Sequence, residues 1–193
     1  MTVTSGTSAT SATSTTPTVP TAPTATSPAG LGTAQPASVD LFRSVFRRHA
    51  AGVAVITASG DTGPVGFTAT SLSSVSAEPP LLSFGIGTGA SSWPAVSRAE
   101  YVGVHILGEH QRELAATFAR SGADRFGTPT SWHEGPHRVP VLDDVLAWLV
   151  CRVHARVPAG DHRLVLAEVV LGDPAGAGRP LLYHQGRFTA LRD

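Results

Sequence analysis

Cysteine and charge are both scarce in this sequence, and each shortage excludes some classes of protein. The 193 residues include a single cysteine, which excludes an intrachain disulfide and any zinc or iron–sulfur site built on several thiolates. Charged residues make up 15% of the chain, and 14 basic residues balance 14 acidic ones. Nucleic acid and anionic membranes are therefore not expected partners. The cysteine count is typical of the reducing cytoplasm, where we expect the protein to be located.

Long hydrophobic runs are missing as well. No apolar stretch approaches the roughly 20 residues of a bilayer-spanning helix, and the N-terminus lacks the basic region and apolar core of a secretory signal. We therefore expect no membrane insertion and no export. Hydrophobic residues nevertheless make up 41% of the sequence, which is enough for one packed domain.

The first 38 residues have a composition of their own. Thr, Ser, Ala and Pro occupy 30 of these positions, and the first charged residue of the chain is Asp40. Such a segment has too little apolar surface to offset the entropy lost on ordering. The composition predicts a disordered extension over residues 1–39 and one domain over residues 40–193. An O-modified stalk or a partner-binding tail would share this composition.

From residue 40 onwards, the apolar residues switch between helical and strand periods. Their spacing predicts an amphipathic helix over residues 40–49, capped by Ser38 or Asp40 and stopped by Gly52. Hairpin-like turns between β-rich segments predict a mainly β, antiparallel fold with short helices, most simply a small barrel. Further helices are predicted over residues 91–99, with Ser91 and Ser92 at the cap, and 109–120, a long loop over 121–140, and strands over 53–58, 65–67, 81–86, 101–107, 145–157, 162–171 and 181–191.

Three local patterns match known sites by letters alone. Residues 133–137 read His-Glu-Gly-Pro-His, but Gly-Pro would break the helix on which a zinc protease carries this motif. Residues 85–89 contain three glycines without the spacing, distant acidic residue or parallel strands of a dinucleotide-binding fold. Cys151 lies on the apolar face of its predicted strand, which favours a buried thiol over a nucleophile. No metal site is predicted.

The segment between Thr68 and Ser76 carries six hydroxyl side chains among small residues. Backbone N–H groups and hydroxyls there can approach a phosphate or the polar rim of a heterocycle without a bulky or charged neighbour. An ordinary Ser/Thr-rich turn would have the same composition. Chemistry alone leaves both interpretations open.

Several segments together resemble the flavin reductase family, the NAD(P)H:flavin oxidoreductases that serve two-component monooxygenases. The resemblance runs from Phe42 to Leu191, and its most specific part is the stretch from Gly66 to Pro80. It rests on residues 52–57, 66–76, 79–81, 125–126, 160–162 and 180–183, which occur in the family's order and with similar spacing.

This resemblance implies an FMN-binding split β-barrel that works as a homodimer, with flavin near the subunit interface. It implies hydride transfer from NADH or NADPH to FMN, or to FAD, and a monooxygenase that receives the reduced flavin. Among the residues it matches, His162 is the catalytic candidate on the nicotinamide side. The matched flavin-binding candidates are Phe67, Thr68, Ala69, Thr70, Ser71, Ser74, Ser91, Ser92, Arg125 and Phe126, with Ser74, Ser91, Ser92 and Arg125 toward the phosphate.

Two positions differ from the family pattern. His105 stands where relatives commonly have Asn, and residues 87–90 are all small where relatives often have Asn.

Two other functions would use the same barrel: a flavoprotein that keeps its flavin and acts on an organic substrate, or a flavin carrier without turnover.

Overall fold

The computed structural model describes residues 37–174 and 176–191, and the compact unit begins at Ser38. This part of the chain is mainly β, as the sequence predicts. Its helices are α1 (Val39–Phe46), α2 (Trp93–Val96) and α3 (Arg112–Ala119). Its strands are β1 (Ala51–Gly52), β2 (Ala54–Gly60), β3 (Gly63–Ala69), β4 (Ser73–Ala77), β5 (Pro80–Gly87), β6 (Tyr101–Ile106), β7 (Trp132–Glu134), β8 (Pro140–Leu142), β9 (Ala147–Ala159), β10 (His162–Asp173), β11 (Leu181–His184) and β12 (Arg187–Ala190).

The main sheet has seven antiparallel strands in the order β3-β2-β6-β9-β10-β5-β4. Its two edge strands, β3 and β4, follow each other in the sequence with three residues between them. A flat sheet would separate these edges by about 29 Å, since neighbouring strands lie about 4.8 Å apart. The chain from Ala69 to Ser73 spans at most about 14 Å. The sheet must therefore curl until its edges are close, which makes it a split β-barrel.

Two apolar clusters pack on the faces of this sheet. One cluster includes Ile56, Phe84 and Val165 from three different strands. The other includes Val55 and, from α3, Phe118, and a small three-stranded sheet of order β1-β11-β12 adds Leu181 to it. Side chains that alternate along β2 contribute to both clusters, as expected for a strand covered on both faces.

The longest hairpin joins β9 to β10. The turn between them places Gly160 at a φ of +59°, in the left-handed region that favours glycine. Cys151 lies on β9 of this hairpin and is buried in the apolar cluster that contains Ile56. Burial raises the pKa of its thiol to about 12. The prediction of a buried, unreactive cysteine is confirmed.

The first and last predicted elements need corrections. Ser38 is the cap of α1, because its Oγ accepts the N–H of Leu41 at 3.1 Å, but the helix ends at Phe46 and Gly52 is already in β1. The single final strand over residues 181–191 is wrong, because β11 and β12 form a hairpin that turns at Gln185 and Gly186. Both turn residues have positive φ.

Two predictions near the middle of the chain also change. Helix α2 stops at Val96, well short of residue 99, and its preceding Ser92 makes no side-chain cap bond. The predicted loop 121–140 contains β7, which pairs with β8. His133 lies on β7 and His137 in a turn with a φ of 56°, so these histidines do not share a helical face.

Candidate functional site

Residues 70–72 connect the two edges of the curled sheet, and two of the predicted flavin-binding residues lie here. Thr70 and Ser71 are both exposed. The Ser71 Oγ accepts a hydrogen bond from the N–H of Gly85 at 2.8 Å, which fixes the connection against β5. Residues 70–72 therefore form a crossing between strands that Ser71 anchors to β5, with Thr70 exposed.

A partly buried arginine lies beside the hydroxyl candidates Ser91 and Ser92. The Arg125 guanidinium donates to Ser91 Oγ at 3.1 Å, to Ser92 Oγ at 3.3 Å and to the carbonyl of Arg120 at 2.7 Å. Its Nε is buried and has no hydrogen-bond partner among the described residues. Burial lowers the pKa of Arg125 from its usual value. A cavity of about 290 Å³ opens next to the guanidinium. It is lined by Arg125, Ser91 and Ser92 together with Phe67 and Thr68.

This cavity has the chemistry of an anion site. A phosphate would neutralise the arginine and could accept a hydrogen bond from the unpartnered Nε. Ser92 is buried, and its hydroxyl donates to the carbonyl of Gly66 at 2.8 Å, so its remaining role toward a ligand is as an acceptor. Among the described residues, Arg125 and Ser91 are therefore the donors that fit a phosphate group.

The other flavin-binding candidates are held by contacts of their own. The Thr68 hydroxyl donates to the Ala115 carbonyl of α3 at 2.6 Å, which leaves only its oxygen lone pairs for a ligand. Ala69 is buried in the core, and Ser74 is exposed on the edge strand β4. Phe126 packs edge-to-face on Phe118, with ring centroids 5.2 Å apart. A second cavity of about 370 Å³, lined by Phe126 as well, lies on Arg125, Ser91 and Ser92. The structure thus groups six candidates around Arg125 and places Thr70 and Ser71 at a separate groove; the six are Phe67, Thr68, Ser91, Ser92, Arg125 and Phe126.

His162 begins β10, directly after the Gly160 turn. Its Nδ1 bonds the Asp161 carboxylate at 2.7 Å, and this bond lowers the pKa of Asp161. The Nε2 edge of the ring faces Gly87, where a Cβ would lie 3.7 Å from it. Thr88 donates both its N–H and its hydroxyl to the Asp161 carbonyl, at 2.9 and 3.0 Å. The turn is thus fixed to the end of β5, with the imidazole half exposed above it.

Comparison with known proteins identifies this arrangement. Residues 46–192 match the model of the flavin reductase like domain. The chain is 46% identical over 151 residues to an NADH:FMN oxidoreductase of Rhodococcus qingshengii, covering 76% of this chain and 79% of that protein. The reductase component of a 4-nitrophenol 4-monooxygenase/4-nitrocatechol 2-monooxygenase from Rhodococcus opacus is 38% identical over 154 residues, covering 80% and 82%.

A solved structure agrees. The crystal structure of a flavin reductase domain protein from Arthrobacter sp. FB24 superimposes with a TM-score of 0.76 at 43% identity, covering 80% of this chain and 96% of that one. This chain belongs to the flavin reductase family. The split β-barrel predicted from the resemblance is confirmed.

His105 is the position where this flavin reductase differs most clearly from the expected family pattern. The side chain is fully buried on β6, and its Nδ1 donates to the Val55 carbonyl at 3.1 Å. Its Nε2 is buried without a partner in the part of the chain that is described. Burial lowers the pKa of His105 to about 4, and His133 adds a smaller repulsive contribution. The imidazole is therefore neutral in the folded protein and lies within the covered face of the sheet.

Sequence reasoning missed the residues that α1 brings to Thr70 and Ser71. Phe42, Arg43, Phe46 and Arg47 line the same groove as these two hydroxyl residues. The signal in the sequence is the pair Phe-Arg repeated four residues later, which puts both pairs on one side of a helix.

No helix in residues 37–174 and 176–191 is long and apolar enough to cross a membrane.

Proposed function

We propose that this chain is an NADH:flavin oxidoreductase, which reduces FMN, or FAD, and supplies the reduced flavin to a partner monooxygenase. The names of the two Rhodococcus relatives support the reaction and the monooxygenase partner. The observation that carries the proposal is the Arg125 guanidinium beside Ser91 and Ser92. Its unpartnered, buried Nε costs about 1–3 kcal/mol, and a bound phosphate would remove that cost.

The residues divide the work between binding and orientation. When bound, flavin supplies the ring that accepts a hydride from reduced nicotinamide. Arg125 and Ser91 would hold the flavin phosphate, and the Thr70 hydroxyl would bond the more distant polar groups. His162, held by Asp161, would orient the nicotinamide beside Gly87. No strong acid or nucleophile is needed for hydride transfer, which agrees with the residues gathered at these positions.

The direct test is NADH oxidation by the purified full-length chain with FMN as the acceptor. We expect loss of NADH absorbance without any added organic substrate. Parallel assays with NADPH and with FAD determine the preferred cofactors. Tight copurification of a yellow flavin without NADH oxidation would instead favour a flavoprotein that acts directly on an organic substrate, or a carrier.

The phosphate role of Arg125 can be separated from a structural role. In Arg125→Gln the affinity for FMN should fall by roughly tenfold to a hundredfold, the range expected for a lost charge-assisted hydrogen bond. Riboflavin has no phosphate, so its affinity should change little. Arg120→Gln is the matched control, because Arg120 contacts Arg125 through its carbonyl and not its side chain. An equal loss for FMN and riboflavin would contradict the assignment.

The proposed role of His162 is on the nicotinamide side. His162→Ala should raise the KM for NADH or slow reduction, while the affinity for FMN stays nearly unchanged, because the side chain contributes orientation. Asp161→Asn should give a smaller change in the same direction, since it weakens the bond that holds the ring. A variant that loses flavin but keeps its reduction rate when loaded would place His162 in the flavin site instead.

We also propose that two copies assemble through α1. Leu41 and Val45 are 56% and 57% exposed on the side of this helix that turns away from the Thr70 groove. Exposed apolar clusters on a short helix mark an interface, and a two-fold dimer would cover them. Light scattering should give a dimer for the natural chain and a monomer for the double variant Leu41→Ser and Val45→Ser. A natural monomer with full flavin affinity would contradict this.

The proposal extends to the N-terminal extension and to the cellular location. Removal of residues 1–37 should leave flavin reduction nearly unchanged, because this segment offers few core-forming side chains and Ser38 keeps its cap. A large loss of activity would show that the extension is needed.

The single, buried cysteine supports a cytoplasmic location.

A further inference from the structure

The groove between α1 and the turn of the β11–β12 hairpin has an unusual set of charges. It has a volume of about 440 Å³, and Arg43, Arg47 and His49 all line it. Within the described residues, no carboxylate lines this groove and neither arginine takes part in an ion pair. The groove therefore holds at least two positive charges that no other described residue neutralises, although only 15% of the chain is charged.

The arginines and the aromatic rings share one side of α1. A helix turns about 100° per residue, so Phe42, Arg43, Phe46 and Arg47 lie within one half of its circumference. The Phe42 and Phe46 rings are 4.4 Å apart, which gives the groove a continuous aromatic wall. The opposite half of the helix carries Leu41 and Val45, the pair proposed above to meet a second copy.

Arg47 is held in place by the hairpin turn. Its carbonyl accepts the N–H of Gln185 at 3.0 Å. Its guanidinium packs on Gly186, where a Cβ would lie 3.5 Å from Nη1 and where φ is +80°. A larger residue at Gly186 would be strained, because its φ lies in the left-handed region. The turn thus holds the backbone of Arg47, and the guanidinium lies close to Gly186 at the groove.

The groove shares two residues with the set of flavin-binding candidates. Thr70 and Ser71 line it, and Ser71 is bonded to Gly85. Gly85 is two residues, or about 7 Å of strand, from Gly87, over which His162 lies. A ligand in the groove would therefore adjoin both the flavin and the nicotinamide positions.

We propose that this groove binds the adenosine diphosphate moiety of a dinucleotide. This inference rests on the proposed reductase function. Two guanidiniums match the two charges of a pyrophosphate, and the Phe42–Phe46 wall offers an adenine ring a surface for stacking. NADH and FAD both contain this moiety, whereas FMN does not. The same site therefore serves either the nicotinamide substrate or the longer flavin.

The test uses the full-length chain with Arg43→Gln and Arg47→Gln combined, and FMN as the acceptor. If the groove binds the adenosine diphosphate moiety of NADH, the KM for NADH should rise by roughly tenfold or more, because two charge-assisted contacts are lost. The kcat and the affinity for FMN should stay the same, since neither arginine lies at His162 or Arg125. Arg48→Gln is the matched control, because Arg48 is on the same segment but outside the groove.

A second arm separates the two sources. If the moiety belongs to FAD, the double variant should bind FAD less tightly while FMN affinity and the KM for NADH are retained. Either result supports a site for adenosine diphosphate. Unchanged NADH and FAD constants, or an equal loss in Arg48→Gln, would overturn the proposal.

Calorimetry with ADP alone keeps this test independent of the proposed reaction. The natural chain should bind ADP, and the double variant should bind it at least about tenfold more weakly. ADP binding can be measured even if the chain does not oxidise NADH. In that case the proposed reductase function would be wrong, while the proposed ADP site would still hold. A dimer that dissociates in the double variant, with ADP affinity unchanged, would show that the arginines serve the subunit interface instead.

Discussion

Helices α1 and α3 are matched in length and pattern but differ in what covers them. Each has eight residues, an amphipathic pattern and an acidic residue in its first turn. Ala115 and Phe118 of α3 are fully buried against the sheet. In contrast, the large apolar side chains of α1 are all more than half exposed in the described part of the chain. Amphipathic spacing therefore predicts a helix without predicting whether its apolar side meets the same chain, a ligand or a second copy.

The sheet beneath α3 is shaped to receive it. A Cβ at Gly66 would lie 2.8 Å from the Phe118 ring, so the glycine of β3 provides the room that the ring occupies. The Thr68 hydroxyl on the same strand bonds the helix backbone. The region covered by α3 is closed, whereas the region beside α1 is an open groove with exposed hydroxyls and cations.

The largest expected effect tests this contrast directly. Phe118→Ala should lower the free energy of unfolding by about 3–5 kcal/mol, because a fully buried ring is lost from a closed region. Phe46→Ala is the matched change on α1 and should stay within about 0.5 kcal/mol, since the ring is exposed. Urea denaturation of both variants measures the difference. Similar losses in the two would mean that α1 is packed as closely as α3.

A second prediction uses the buried imidazole on the closed side. The folded pKa of His105 is about 4, below its usual 6.5, so the unfolded chain takes up the proton first as the pH falls. The contribution of neutral His105 to the free energy of unfolding is fully present above pH 6.5. It should decline by about 3 kcal/mol as the pH approaches 4, because each unit of pKa shift corresponds to about 1.4 kcal/mol.

The variant His105→Asn removes this titration and keeps a polar side chain. Its free energy of unfolding should depend less on pH between 6.5 and 4 than that of the natural chain. His154→Asn, at an exposed position on β9, should leave the dependence unchanged. Parallel curves for the natural chain and His105→Asn would show that other groups cause the acid sensitivity.

The sequence predicts most of the closed region and little of the open one. The spacing of Leu114, Ala115 and Phe118 identifies α3, because packing and periodicity agree there. The burial of His105 could not be predicted, since strand alternation does not show that residues 139–145 cover that face. The β11–β12 hairpin was missed because Gln185 adopts positive φ without being glycine. Arg125 emerged only from the family resemblance, since a lone Arg-Phe pair carries no periodic signal.

The smallest expected effect compares two threonines, one near the end of β3 and one in the connection that follows it. Thr68 lies under α3, and its hydroxyl donates to the Ala115 carbonyl; Thr70 is exposed beside α1. Thr68→Val should lower the free energy of unfolding by about 1 kcal/mol, because it removes the hydrogen bond between β3 and α3. Thr70→Val should leave stability nearly unchanged and weaken FMN binding by about 1–3 kcal/mol, the value of a buried hydrogen bond.

Denaturation and FMN titration of both variants give a two-by-two comparison. In the natural chain the two hydroxyls differ in their partner and not in their chemistry, so the loss of each should register in only one measurement. If Thr68→Val also weakens FMN binding, its oxygen accepts a bond from the ligand in addition to bonding α3. If Thr70→Val and the parallel change Ser71→Val both leave FMN affinity unchanged, the flavin does not contact this crossing. The open region would then serve the dinucleotide alone, with flavin held from the Arg125 side.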